Sequence, residues 1–212
     1  GTTNLDVVDI DGAVDMASTL AVGGVVKTER GSAGAPPYTF KDDLDTGMFN
    51  ISNANLGFSV GGTEHFRIAT DGSLSTPTLG TSNVRFGVNA GNSIASGGNY
   101  NTVVGDEAGT ALTTGDSNVI VGMVAGDALT TASDNVAIGQ GALTADTLGS
   151  KTVAIGRQAL TTQNFTSATD TYNTAVGHNA GLSVTTGTLN TLIGGLAGDA
   201  ITTGANNTSL GY

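Results

Sequence analysis

A glycine recurs along most of this 212-residue chain, at positions 87, 105, 122, 139, 156, 177, 194 and 211. The intervals are 18, 17, 17, 17, 21, 17 and 17 residues. Asn stands four residues before that glycine at 83, 101, 118, 135, 173, 190 and 207, and only Thr152 breaks the column. Ala stands three residues after it at 90, 108, 125, 142, 159, 180 and 197. A period this short, held through so many units, argues against a core assembled from distant segments. It marks a solenoid, in which each unit stacks on the next.

The residue before each glycine is large and apolar: Phe86, Val104, Val121, Ile138, Ile155, Val176, Ile193 and Leu210. Two residues earlier the side chain is always β-branched, as at Val119, Val136 and Thr174. Alternation with period two makes this a short strand, and the large apolar column is expected to point into the core. The mixed position between them (Val103, Ile120, Ala137, Ala154, Ala175, Leu192) is then expected to face the other way. A second half-unit, Ala-Gly-x-x-Leu-Thr-Thr-Gly at 108–115 with counterparts at 125–131 and 197–204, predicts a second strand and a turn. Coils only two strands wide are expected to lack a sufficient core of their own. Their outward apolar residues predict packing against copies of the same chain, most economically with cyclic symmetry.

Composition agrees with an all-β protein. Glycine numbers 33, charged residues are only 12%, and 38% of residues are hydrophobic, mostly small or β-branched. The glycines lack the strict Gly-X-Y spacing of collagen, and the mean hydropathy of +0.08 is too high for a disordered polar tract. With seven basic residues and a net charge of −11, the chain is not expected to bind nucleic acid. Cysteine is absent, which rules out disulfides and thiolate metal sites. No apolar run approaches the roughly 18 residues of a membrane span, so no membrane insertion is expected. An opening at Gly1 and a repeat cut at Ser209-Leu-Gly-Tyr212 read as a piece of a longer protein, which leaves two places for a binding tip, within these residues or beyond Tyr212.

The first eighty residues have a different grammar. All three prolines (36, 37 and 77) lie outside the repeat. Alternating runs around Tyr38–Phe40, Met48–Ile51, Leu56–Val60 and His65–Ile68 are separated by Asp45-Thr-Gly, Asn53-Ala-Asn, Gly61-Gly62 and Asp71-Gly72. Gly-Gly and Asp-Gly between such runs are hairpin signals, so a small antiparallel meander is expected. The organisation read from sequence is an N-terminal segment over 1–30, the meander over 31–80 and the repeat domain over 81–212.

Two resemblances rest on these residues. The unit Asn-[Thr/Val]-x-[Val/Ile]-Gly-x-x-Ala resembles the head repeat of trimeric autotransporter adhesins, whose unit is commonly shorter than 17 residues. It implies a left-handed parallel β-roll with three chains around an axis, and covers residues 82–212. Pro36-Pro-Tyr-Thr-Phe-Lys-Asp-Asp-Leu-Asp-Thr-Gly-Met48, with Leu56-Gly-Phe-Ser-Val-Gly-Gly-Thr-Glu-His-Phe-Arg-Ile68, resembles a module of bacteriophage tail fibres. The segment Asp6–Val26 is similar to the intertwined stretch that precedes that module. Together they imply a homotrimeric, non-enzymatic, cofactor-free fibre segment on a virion, or alternatively on a bacterial surface. Its implied partners are other fibre or tail proteins and a host cell-surface glycan or protein receptor.

His65 and His178 read as surface residues, with an axial ion site as the alternative for His178. Asp42, Asp43 and Asp45 form an acidic cluster with oxygen ligands suited to calcium, or simply a solvated turn. Asp106-Glu107 is the only adjacent acidic pair in the repeat and lacks a partner in register for polysaccharide cleavage. Thr113-Thr114 and Thr202-Thr203 point to opposite faces, which disfavours an ice-binding ladder. The four extra residues of the long interval fall within 161–172 and predict a surface loop carrying Phe165 and Tyr172, a candidate recognition loop. The competing expectation is that Phe165 folds back into the widened turn or meets a neighbouring chain. Removing Asn164–Ser167 is expected to restore the 17-residue interval and leave the fold intact.

Overall fold

The computed structural model of the protein describes residues 30–52 and 55–211. The fibre segment expected over 1–30 therefore lies, Arg30 apart, outside the described residues. Among the described residues every regular element is a β-strand.

The meander is a five-stranded antiparallel sheet in sequence order. Its strands are β1 (Tyr38–Phe40), β2 (Asp43–Ser52), β3 (Asn55–Val60), β4 (Thr63–Ile68) and β5 (Leu74–Ser75). Gly61 and Gly62 close the β3–β4 hairpin, both with positive φ. One expected turn is corrected: Asp45-Thr-Gly lies inside β2, and the chain turns at Lys41-Asp42 instead. A Cβ on Gly47 would run into the Tyr38 carbonyl, so this glycine lets β1 close against β2 beside a register shift. Pairing puts Tyr38, Met48, Phe58 and Phe66 in one row, with Leu56, Ile68 and Leu74 on the same face. Phe58 and Phe66 touch with ring centroids 5.7 Å apart. Tyr38, Met48, Leu56 and Leu74 remain exposed, so this face is left largely uncovered.

The repeat forms a parallel β-solenoid whose main sheet has eight in-register strands, one per coil. They are β6 (Val84–Phe86), β7 (Thr102–Val104), β8 (Val119–Val121), β9 (Val136–Ile138), β11 (Val153–Ile155), β13 (Thr174–Val176), β14 (Thr191–Ile193) and β15 (Thr208–Leu210). A short parallel pair, β10 (Gly149–Ser150) and β12 (Thr169–Asp170), stands apart from that sheet. At about 4.8 Å per rung the stack is about 34 Å long.

The expected facing of these strands is reversed. The centre residues Val103, Ile120, Ala137, Ala154, Ala175 and Leu192 are wholly buried. The column before the glycine is not the core: Val121, Ile138, Ile155 and Val176 are half-buried, and Phe86, Ile193 and Leu210 are exposed. The β-branched column shares this outer face. Inside, the centre residues meet the repeat alanines and Leu112, Leu129, Leu143, Leu160 and Val184. Each coil thus has a core of its own, made thin enough for a single strand by small side chains. Arg85 takes the centre position in the first coil, its Nη1 donating to the Gly91 carbonyl at 3.2 Å, and burial lowers its pKa.

The second half-unit is not a strand in most coils. It is a run of turns whose backbone still hydrogen-bonds from coil to coil, as in Thr113 N to Thr130 O (2.8 Å) and Thr130 N to Thr147 O (3.0 Å). The recurring glycine is a point of close approach between coils. Gly122 has φ of 132°, and a Cβ there would lie 2.7 Å from the carbonyl carbon and oxygen of Gly139 in the next coil. Only glycine allows coils to stack so closely at that corner.

The Asn column is an interior ladder. Asn118 Nδ2 donates to the Ala132 carbonyl (3.0 Å), while its Oδ1 accepts from the backbone N of Asn135 (3.0 Å). The same pair of bonds recurs at Asn101 and Asn190. Each amide closes its own coil and ties it to the following one, which explains an otherwise costly polar residue in the core.

Candidate recognition site

The 21-residue interval begins with Thr152, the one residue that breaks the Asn ladder. In most coils Gly occupies the fourth position after the recurring glycine and a large apolar residue the seventh, as with Gly126 and Leu129. A Cβ on Gly126 would meet Leu129 Cδ1 at 2.9 Å, so the two positions compete for one space. Two adjacent coils reverse the assignment. Leu143 and Leu160 stand at the fourth position, with φ of 55° and 50°, and Asp146 and Gln163 stand at the seventh. All four are wholly buried.

The exchange admits a buried polar network. Asp146 Oδ1 accepts from the backbone N of Gly149 (3.0 Å) and of Phe165 (3.0 Å), and its Oδ2 accepts from Gln163 Nε2 (2.6 Å). Gln163 Nε2 also reaches Thr152 Oγ1 (3.1 Å), and Gln163 Oε1 accepts from Asn173 Nδ2 (2.8 Å). Thr152 and Thr171 share a hydroxyl bond of 2.7 Å, and Thr171 Oγ1 accepts from Asn173 N (3.2 Å). The inserted stretch therefore mends the gap that Thr152 leaves in the ladder.

Phe165 folds back and is 8% exposed, so it is not a surface aromatic. Its carbonyl accepts from Leu148 N (3.0 Å), and the Leu148 carbonyl accepts from Thr169 N (3.3 Å). The chain leaves the ladder after Phe165 and rejoins it at Thr169, and residues 166–168 project outward. Tyr172 is 52% exposed but belongs to the regular corner rather than to the loop. It shares a left-handed φ with Ser117, Asp134, Lys151 and Leu189, which precede the ladder residue in their own coils.

Tyr172 stands in a surface cluster. Lys151 Nζ lies 2.5 Å from Asp170 Oδ2 and 5.4 Å from the centre of the Tyr172 ring. The Tyr172 hydroxyl donates to Asp170 Oδ2 at 3.3 Å and accepts from Lys151 Nζ at 3.4 Å. The bond from Lys151 holds the Asp170 carboxyl below its usual pKa, and Asp170 raises that of Lys151, so both are ionised at neutral pH.

The remaining sequence candidates lie apart from one another. His178 is exposed, its Nε2 3.5 Å from Arg157 Nη1, and Arg157 Nε donates to Gln140 Oε1 (3.1 Å). His65 is exposed where the β3–β4 register slips from Phe66 to Glu64. Asp43 is held below the usual carboxylate range mainly by the Thr46 hydroxyl, and Asp43 in turn raises Asp45. Among the described residues no three His, Cys, Asp or Glu side chains are grouped to hold a metal ion. No helix among the described residues is long and apolar enough to cross a membrane. Comparison with known protein families, characterised proteins and solved structures finds no match to the chain.

Proposed function

We propose that this chain is a structural and adhesive segment of a homotrimeric bacteriophage tail fibre, spacing or presenting the host-binding part. The carrying observation is the outer face of the eight-stranded sheet. Its two columns, from Val84 to Thr208 and from Phe86 to Leu210, present β-branched and large apolar side chains half-buried or exposed along the whole stack. A continuous apolar stripe of that length on an acidic, charge-poor protein calls for burial against another surface. A stripe repeating at each rung is matched best by the same stripe on identical chains. The uncovered apolar face of the meander supports the same reading. In this reading the chain performs no catalytic step, holds no cofactor and reaches its host through a surface glycan or protein.

A bacterial surface adhesin is the second reading, favoured by the form of the repeat alone. Immunogold electron microscopy with antibody against residues 82–211 separates the two. Label on the fibres of phage particles supports the proposal, and label on the bacterial envelope overturns it in favour of the adhesin.

A further inference from the structure

The insertion-bearing coil carries more than a rod requires. Elsewhere the left-handed corner is mostly small and polar, as at Ser82, Ser117, Asp134 and Asn206. At the insertion it becomes Lys151, Tyr172 and then Leu189, three successive rungs spanning about 10 Å. Asp170 joins them from β12. Lys151, Asp170 and Tyr172 bond to one another, and Leu189 is 50% exposed on the next rung.

We propose that Lys151, Asp170, Tyr172 and Leu189 form a subsite for a neutral hexose of a host surface glycan. The inference rests on the adhesive reading above and specifies its ligand chemistry. A pyranose presents an apolar C–H face and a rim of adjacent hydroxyls. The exposed Tyr172 ring with Leu189 offers the apolar platform, and an amphipathic aromatic suits a ligand that is apolar on one side and wet on the other. Asp170 supplies acceptors and Lys151 donors 2.5 Å apart, matched to two neighbouring hydroxyls. A net charge of −11 and the Asp170 carboxylate disfavour acidic sugars.

The platform is fixed from within. Asp146 anchors Phe165, and the β10–β12 pairing sets Asp170 beside Ser150 in register. The cluster thus stands on backbone bonded to the coil below rather than on the projecting residues 166–168. Preorganisation of this kind lowers the entropy lost on binding.

The test is saturation-transfer NMR of the intact protein with the methyl glycosides of glucose, galactose, mannose and N-acetylglucosamine. The wild type is expected to bind at least one of them. Tyr172→Ala, which removes the apolar platform, and Asp170→Asn, which removes a charge-assisted acceptor, should each weaken that binding about tenfold or more. Tyr100→Ala, an exposed tyrosine of the same corner column in an earlier coil, should leave it unchanged. Sedimentation accompanies each variant. Lost binding with the oligomer intact supports the subsite. Binding that survives Tyr172→Ala, or a wild type that binds none of the four, overturns it and leaves the fibre assignment standing. A Tyr172→Ala variant that falls apart into single chains also overturns it, because the ring is then a subunit contact. The fibre assignment fails separately, through the immunogold labelling.

Discussion

Asn118 shows what a single residue contributes to this rod. Its side chain bonds Asn101, Ala132 and Asn135, so Asn118→Ala leaves a buried carbonyl and a buried N–H unpaired. The expected cost is about 2–4 kcal/mol, read as a fall in melting temperature. Thr152→Asn completes the repeat pattern yet is expected to destabilise by about 1–3 kcal/mol. Thr171 Oγ1 and Gln163 Nε2 already fill the space at 2.7 and 3.1 Å, and a larger amide overpacks it. Asp127 is a local weakness of the opposite kind. Its Oδ1 is buried without a partner, and burial, then the nearby Glu107 charge, raises its pKa. The folded state then holds this proton more tightly than the unfolded one. The penalty is complete above the raised pKa and vanishes once pH falls below the ordinary carboxylate value of about 3.9. Asp127→Asn should therefore raise the melting temperature at pH 7, by under about 1 kcal/mol in stability after solvent screening, and change nothing near pH 3.

The coil is the element of this fold, and its sequence is only partly transparent. The Gly, Asn and Ala columns disclose the period and the parallel stacking because each meets a steric or hydrogen-bonding need repeated at every rung. The direction of the strand face is not legible from side-chain size, because size does not decide burial in so thin a coil. Ile138 is larger than Ala137, yet a one-strand coil leaves room inside only for what the opposite wall does not fill. In the coils of Ala137 and Ala154 that wall carries Leu143 and Leu160. The sequence carries a mark of this in two adjacent coils, which exchange Gly and a large apolar residue for Leu and a polar one. The same exchange marks the Asp146 network, which periodicity alone passes over because it breaks the period. Two deletions test the element. Removing Ser167–Ala168 keeps Phe165 on Asp146 and Thr169 on Leu148, and should leave the melting temperature within a few degrees of wild type. Removing Asn164–Ser167 takes away the buried Phe165 and should cost about 3 kcal/mol or more, contrary to the expectation from spacing. Equal melting of the two deletions would contradict the ladder geometry around Leu148.

At the scale of the whole molecule, the coil interior is complete within one chain and the outer sheet face is not. Substitutions on the two sides of one strand should then fail differently. Ala137→Asp buries an unpaired charge inside the coil and should abolish cooperative folding, at a cost of several kcal/mol. Ile138→Asp places the charge on the outer face and should separate the chains while circular dichroism still reports β-structure. Gln140→Asp, in a slot that tolerates Asp106 and His178, should cost under about 0.5 kcal/mol. The central claim is that this outer face is buried between three identical chains, and sedimentation equilibrium of the unmodified protein at micromolar concentration tests it most directly. The account predicts a single species of three times the 20.9 kDa chain mass. A folded, monodisperse species of one chain mass would contradict it.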